Sequence, residues 1–348
     1  MLVVRLGAMG DVIHGMSAMA ALRRANPELR IGWLIEERWS ELLCSRDSER
    51  YAPVSPLKPL VDWLHTSNFA GWRRALLSDE TWREARVCLR EVSAMHYDLA
   101  LDLQGAMRSS LAARLSGAKS YLGSSDPREA PARMFYTTVI SPQGTHVIEQ
   151  ALSLASAVAG RKLQYVPPPF PCDPIHESWA DNCRADTGGR PVAILNPGAG
   201  WGAKQWPAES YGAVTRALHE RGISVLINHG PGEEDLAEAV QRASANAAHL
   251  LKCSVAELIA ITRRARLFIG GDTGPMHLAA ALHVPVVALF GPTRPARNGP
   301  YATRSIVLRN PNSRDNPSHT TIPDEALAAI DPQSVIAAAD ELLGAAHG

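Results

Sequence analysis

Several absences narrow the range of functions before any motif is considered. The 348 residues contain no run of about 18 apolar residues, so no membrane-spanning helix is expected. The first residues lack the layout of a signal peptide, because their short apolar run leads directly into a glycine-containing motif. The formal net charge is zero, and strong nucleic-acid binding is not expected. These features predict a cytoplasmic protein.

Patterns that bind metals or dinucleotides are also lacking. The five cysteines form no C-x-x-C pair, and neither D-x-D nor closely spaced His/Glu ligands occur, so we expect no zinc site, no disulfide framework and no metal or other cofactor. The full G-x-G-x-x-G fingerprint is missing, which argues against an NAD-dependent oxidoreductase.

What is present is a repeated alternation of apolar strands and helix-period segments, typical of parallel sheets covered by helices. A proline-rich stretch at 165–174 is the predicted interdomain linker, since proline fixes φ and stiffens the chain. We predict an α/β protein with four regions: a first Rossmann-like domain at 1–165, a linker at 166–190, a second Rossmann-like domain at 191–330 and a final helix within 331–348.

The segment Leu267–Leu282 is the most informative. A strand leads through Gly270, Gly271 and Gly274 into a helix, where exposed N–H groups and the helix dipole favour a diphosphate. We predict that hydrogen bonds to the phosphate oxygens come from the N–H groups of Thr273, Gly274 and Met276 and from the His277 side chain. The alternative is a plain strand–turn–helix corner with Asp272 as its N-cap.

Three further segments carry candidate side chains. Lys204 follows a glycine-rich turn after a strand and has the charge to hold a phosphate, although a lone lysine is more often a surface group. Asp11 lies near a helix start, where it is suited to accept a proton or merely to cap the helix. The acidic turn Gly230–Asp235 has the groups to bind ribose hydroxyls or simply to offset a helix dipole.

Together these segments resemble the heptosyltransferases of glycosyltransferase family 9, and among them the enzymes that add the first heptose to Kdo-lipid A. M-G-D at 9–11 combined with D-T-G-x-x-H at 272–277 is specific, whereas either motif alone is weak. The matching segments are MGDVIH (9–14), WLIEERW (33–39), WRRALLS (72–78), YDLALDLQGAMRSSL (97–111), PREAPARMFY (127–136), HVIEQ (146–150), KQWP (204–207), GGDTGPMHLAAAL (270–282) and FGPTRPARNGPY (290–301).

The resemblance implies a GT-B fold, in which two Rossmann-like domains face a cleft and the last helix folds back. It implies that the domain at 1–165 binds the acceptor and the domain at 191–330 binds the nucleotide-sugar donor. It implies inverting, metal-independent transfer of heptose from ADP-heptose to the Kdo of Kdo-lipid A in lipopolysaccharide inner-core biosynthesis, with transient contact at the cytoplasmic face of the inner membrane. Matched to the family motifs, Asp11 is the catalytic base, and Arg73, Arg74 and Arg128 meet the anionic acceptor. The donor-binding residues implied are Lys204, Glu233, Asp272, Thr273, Gly274 and His277.

Other functions remain open from the sequence. One is a family 9 transferase for the second heptose or another sugar, and another is a GT-B sugar-nucleotide epimerase, which needs no acceptor. A non-catalytic nucleotide-sugar-binding protein would keep Lys204 and the helix after Thr273 but would not need Asp11.

Overall fold

The computed structural model describes residues 1–46, 48–315 and 324–344, and the chain divides into two compact units, Met1–Asp173 and Pro174–Gly348. Within the predicted linker 166–190, residues 166–173 have no helix or strand, but Pro174–Asp186 is a helix of the second unit. The linker prediction was too long because a proline at the first helical position, where its missing N–H costs nothing, starts a helix instead of extending the linker.

The first unit is a parallel sheet with helices on its faces. Two 3₁₀ segments, Glu37–Leu42 and Ala130–Phe135, follow β2 and β5. The other elements are β1 (Leu2–Val4), α1 (Met9–Ala25), β2 (Gly32–Glu36), β3 (Trp63–Ser67), α2 (Phe69–Arg74), α3 (Asp79–Ser93), β4 (Leu99–Asp102), α4 (Met107–Leu115), β5 (Ser120–Ser124), β6 (Thr138–Ile140) and α5 (Val147–Ala159).

The second unit repeats this plan. Its elements are α6 (Pro174–Asp186), β7 (Val192–Asn196), α7 (Ala208–Glu220), β8 (Ser224–Asn228), α8 (Glu234–Ala243), β9 (Ala248–Leu251), α9 (Val255–Thr262), β10 (Ala265–Gly271), α10 (Gly274–Ala281), β11 (Val286–Phe290), α11 (Pro295–Asn298), β12 (Ser305–Arg309), α12 (Glu325–Ala328) and α13 (Pro332–Gly344). The predicted final helix corresponds to α13, and the last four residues of the range 331–348 lie outside the described residues.

Strand order decides where each unit can bind a ligand. The first sheet has the order β3-β2-β1-β4-β5-β6 and the second β12-β11-β10-β7-β8-β9, and every named pair is parallel. The chain therefore leaves β1 in one direction and resumes at β4 on the other side, and it does the same around β7 and β10. In such sheets ligands bind beyond the carboxyl ends of the strands at this reversal.

The central strands are buried on both faces, which explains their uninterrupted apolar sequences. All residues of β1, β2, β7, β8 and β11 are buried. In the second unit, α7 and α13 cover one side of the sheet, and Trp206 and Tyr211 lie edge-to-face in that core. This rigid support leaves the loops after β7, β8 and β10 to carry polar groups.

Candidate functional site

Lys204, Asp272 and His277 form a buried polar cluster at the strand reversal of the second unit. The Lys204 ammonium donates to Asp272 Oδ2 at 2.7 Å and to its main-chain oxygen at 3.0 Å. His277 Nε2 lies 3.2 Å from Asp272 Oδ1. The side chains of the three residues are 13%, 6% and 8% exposed, so the lysine is not the solvated surface group that its type suggests.

The electrostatics of Asp272 follow from this arrangement. Burial by itself raises the pKa of a carboxyl group, but the hydrogen bond and charge of His277 and those of Lys204 outweigh it and hold the pKa of Asp272 well below its usual range. Asp272 therefore stays ionised and orients the side chains of Lys204 and His277. It is not the helix N-cap, because Thr273 occupies that position.

The start of α10 offers fewer main-chain donors than predicted. Met276 N–H donates to Thr273 O at 3.1 Å, and His277 N–H donates to the same oxygen at 3.3 Å, so both are used inside the helix. The prediction for the Met276 N–H was wrong because that group lies already within the first hydrogen-bonded turn. Thr273 and Gly274, at the N-cap and first helical positions, remain the candidates for binding an anion.

Glycines bring the three loops of this site into contact. A Cβ at Gly271 would lie 3.1 Å from Lys204 O, and one at Gly198 would lie 2.1 Å from Glu233 Oε2. The Glu233 carboxylate therefore lies against the loop that follows β7, where it also accepts from Gly230 N–H at 2.7 Å. The loop after β7 thus carries Lys204 and, at Gly198, contacts Glu233.

Side chains at the ends of β7 and β8 complete this edge. Asn228 Nδ2 donates to Asn196 Oδ1 at 2.5 Å, and Asn196 Nδ2 donates to Gly198 O at 2.8 Å. His229 is buried, and its Nδ1 has no hydrogen-bond partner within the described part of the chain. The sequence analysis missed these residues because asparagine and histidine after a strand are common in ordinary turns.

In the first unit, Asp11 lies at the strand reversal between β1 and β4. It occupies the third position of α1 and is not the N-cap, which is Ala8, because the helix begins at Met9 and not at Asp11, where the apolar periodicity of the sequence predicts its start. Its Oδ1 is 2.7 Å from Arg5 Nη2, and its Oδ2 accepts from Ala8 N–H at 3.3 Å. The carboxylate remains 36% exposed and is therefore open to a ligand.

Arg128 is brought to the same edge by the β4–α4 loop. A Cβ at Gly105 would lie 2.9 Å from Arg128 N, and Glu129 N–H donates to Gly105 O at 2.9 Å. The same loop holds the end of β1, because Leu6 N–H donates to Gln104 Oε1 at 2.8 Å. A short series of contacts therefore links the backbone of Arg128 to the segment that carries Asp11.

Asp102 organises this loop, and the sequence analysis did not single it out. Its carboxylate accepts from Gln104 N–H, Gly105 N–H, Ser109 Oγ and Tyr136 Oη at 2.8 to 3.1 Å. Burial raises the pKa of Asp102, against the lowering effect of these four donors. Because Tyr136 ends the segment that includes Arg128, Asp102 fixes the segment at both ends.

Arg73 and Arg74 lie away from these contacts, in the last turn of α2. Both are exposed, whereas their neighbour Trp72 is buried and donates from Nε1 to Glu84 Oε2 at 2.8 Å. Trp72 therefore fixes α2 against α3 while the two arginines face solvent.

A surface cavity of about 790 Å³ lies beyond the carboxyl ends of β2 and β3 and includes no predicted site residue. Five glutamates and three arginines line it, so its charge does not suit an anionic ligand. Burial raises the pKa of one of them, Glu36, and the opposing effects of Arg38, Arg108 and the Ala70 N–H are smaller. We do not assign the acceptor to this cavity.

Residues 1–46, 48–315 and 324–344 contain no group of three or more His, Cys, Asp or Glu side chains arranged to hold a metal ion. None of their helices has both the length and the apolar character needed to cross a membrane.

Comparison with known proteins gives the family. Residues 86–324 match glycosyltransferase family 9 (heptosyltransferase). Lipopolysaccharide heptosyltransferase 1 of Pseudomonas aeruginosa is 30% identical over 315 residues, which cover 88% of this chain and 82% of that protein.

Two solved structures show the fold. The E. coli heptosyltransferase WaaC with ADP superposes with a TM-score of 0.77 at 23% identity, over 98% of this chain and 99% of that one. E. coli ADP-heptose lps heptosyltransferase II gives a TM-score of 0.78 at 20% identity, over 100% and 99%. The predicted fold of two parallel-sheet α/β domains of the GT-B type is confirmed. The chain therefore belongs to glycosyltransferase family 9, the heptosyltransferases, and is an enzyme that transfers heptose.

Proposed function

We propose that this enzyme transfers heptose from ADP-heptose to the Kdo of Kdo-lipid A in lipopolysaccharide inner-core biosynthesis, with inversion and without a metal ion. The relative from P. aeruginosa is named for the first heptose transfer, and WaaC was solved with ADP. The reaction belongs at the cytoplasmic face of the inner membrane, where the sugar nucleotide and the lipid acceptor meet.

The observation that carries the proposal is the Lys204–Asp272–His277 cluster at the start of α10. A diphosphate bound there gains the lysine charge, the N–H groups of Thr273 and Gly274 and the positive end of the helix dipole. Both carboxylate oxygens of Asp272 are engaged by Lys204 and His277. We assign it a positioning role and not direct contact with the donor phosphates.

The other donor contact is Glu233, for which we propose the hydroxyls of the ADP ribose. Its carboxylate lies against Gly198, where there is no side chain between it and the loop after β7. A carboxylate is a strong acceptor for two neighbouring hydroxyl groups.

Asp11 is the proposed general base. It takes the proton of the acceptor hydroxyl as that oxygen forms a bond to the anomeric carbon. The bond from this carbon to the diphosphate breaks at the same time, and ADP leaves with the electron pair. A single displacement inverts the anomeric centre. Arg5, 2.7 Å from the carboxylate, orients it.

Acceptor recognition is assigned to Arg73, Arg74 and Arg128. Kdo carries a carboxylate and lipid A carries phosphates, and arginine binds both groups with paired hydrogen bonds. Of the three arginines, Arg128 is the one whose backbone is linked by contacts to the segment that carries Asp11. We therefore propose that Arg128 binds the Kdo carboxylate. The exposed pair on α2 is then available for more distant anionic groups.

Mass measurement of the lipid product tests the proposal. Incubation with ADP-heptose and Kdo-lipid A should add one heptose, and the same rate is expected in EDTA. The matched control is an acceptor that already carries the first heptose, which should remain unchanged. Transfer to that control alone would assign the second-heptose reaction, and ADP release without any acceptor would instead indicate an epimerase.

A further inference from the structure

Apolar side chains are exposed unevenly over the described residues. Eight of the fourteen large hydrophobic residues that are exposed belong to the layer built by α2, α3, α4 and the 3₁₀ segment after β5. These eight are Leu76, Leu77, Trp82, Val87, Met107, Leu111, Leu115 and Met134. A concentration of this kind marks a contact surface, since single exposed hydrophobic residues scatter when they have no function.

The largest exposed fractions are found in the α2–α3 turn, which we define as residues 73–82 and which includes the adjoining ends of the two helices. Leu77 is 101% exposed, Leu76 57% and Trp82 53%. The Trp82 ring is held in place because its Nε1 donates to Leu76 O at 2.9 Å. Its polar group is thus satisfied inside the turn, and the apolar part of the ring is left outside.

Unpaired positive charge lies beside these apolar groups. Neither Arg73 nor Arg74 has a side-chain hydrogen bond or ion pair with any residue that the structure describes. Among the nearby carboxylates, Glu80 pairs with Arg83 and Glu84 accepts from Trp72. Asp79 lies in the first turn of α3, where the helix dipole offsets its charge.

We propose that the α2–α3 turn docks on a bilayer surface that contains anionic lipids. Leu76, Leu77 and the Trp82 ring enter the boundary between headgroups and acyl chains. Arg73 and Arg74 bind anionic headgroups, among them the lipid A phosphates of the acceptor. Tryptophan and leucine next to arginine are the combination that favours this boundary. The inference rests on the proposed function in one respect, namely that the acceptor is a lipid held in a membrane.

Vesicle flotation without any substrate tests the docking directly. The wild-type protein should float with vesicles of phosphatidylcholine and phosphatidylglycerol, and bind less to phosphatidylcholine alone or in high salt. The double variant Leu76→Asp/Leu77→Asp should bind at least about tenfold more weakly. Removing Arg73 should cost about fivefold on the mixed vesicles, the equivalent of roughly 1 kcal/mol per basic residue.

The matched control is Ile175→Asp, which replaces a 65% exposed apolar residue on α6 of the second unit and should leave flotation unchanged. Wild-type flotation of the Leu76/Leu77 double variant would overturn the proposal. So would a shift of that variant from dimer to monomer in sedimentation with flotation unchanged, because the partner would then be a second copy of the chain.

Transfer assays separate this inference from the proposed function. The double variant should transfer heptose normally to an acceptor freed of its acyl chains, and slowly to the same acceptor embedded in vesicles. If the wild-type protein transferred heptose to neither acceptor but still floated with the vesicles, the proposed function would be refuted. The docking surface would be unaffected by that result.

Discussion

At the scale of single residues, we expect the Lys204–Asp272 pair to contribute both to stability and to the proposed donor binding. Lys204→Met leaves the buried Asp272 carboxylate with His277 alone, and breaking such a pair costs about 3 kcal/mol or more. Adding Asp272→Asn should recover part of that free energy of unfolding, whereas donor use stays impaired. Urea unfolding and donor kinetics measure the two effects. The exposed pair Lys119–Asp98 is the control, and Lys119→Met should change stability by less than about 1 kcal/mol.

Replacing Asp11 should lower kcat and hardly change the free energy of unfolding. Asp11→Asn keeps the shape of a partly exposed side chain but removes the base, so kcat should fall by at least about a hundredfold. Glu149 occupies the same third position in α5, and Glu149→Gln is the matched control with kcat unchanged. An Asp11→Asn enzyme with wild-type kcat would exclude Asp11 as the base.

His65 predicts a specific acid sensitivity of the first unit. It is 1% exposed, its Nε2 lies 2.8 Å from Tyr97 Oη, and burial lowers the pKa of His65 to about 4. In the unfolded chain His65 takes up its proton near pH 6.5, whereas in the folded chain it does so only near pH 4. The free energy of unfolding is therefore highest above pH 6.5 and decreases as the pH falls toward 4. The loss should reach about 3 kcal/mol. In His65→Gln this part of the pH dependence should disappear; urea unfolding at several pH values measures it.

At the scale of elements, the β4–α4 loop is the critical connection in the first unit. Gly105 has φ +66°, and a Cβ there would lie 2.9 Å from Arg128 N. Gly105→Ala should cost more than the roughly 1 to 2 kcal/mol of a left-handed alanine, and should raise the KM for the acceptor because the backbone of Arg128 must shift.

Gly117 provides the control for that variant. Its φ is +73°, but nothing lies within 4 Å of a Cβ built there. Gly117→Ala should therefore show the conformational cost alone, with the acceptor KM unchanged. Equal effects of the two substitutions on stability and on KM would mean that the contact with Arg128 is unimportant.

The strands predicted correctly were those with continuous apolar sequence. The sequence predicts strands at Val192–Asn196 and Ser224–Asn228, and these form β7 and β8 with the same bounds, because both faces of a central parallel strand are covered. The strands nearer the sheet edges, including β3, β5 and β12, were missed. Their sequences WLHTS, SYLGS and SIVLR mix polar and apolar residues, since only part of each strand is buried.

At the scale of the whole molecule, two sheets of the same topology carry different polar groups at their strand reversals. The second unit presents a lysine and a helix start, and the first presents a carboxylate. ADP should therefore bind to the second unit. At a free concentration a hundred times Kd, it should add about 2.7 kcal/mol to the free energy of unfolding of the state that binds it.

Hydrogen exchange with and without ADP tests this assignment. Protection is expected in the loop after β7 and at the start of α10. AMP, which lacks the diphosphate, should protect them less. Protection centred on the β1–α1 loop instead would assign the nucleotide to the first unit.

The sequence by itself determined the two α/β domains, since apolar strands and helix periods are local patterns, and its paired motifs indicated Asp11, Lys204 and the loop at Asp272. Only the tertiary structure decided how these groups act. It turned Asp272 toward Lys204 and His277, set Asp102 under the Arg128 segment, and left Leu77 fully exposed. The physical reason is that charge pairing and burial depend on residues far apart in the chain, which no local spacing specifies.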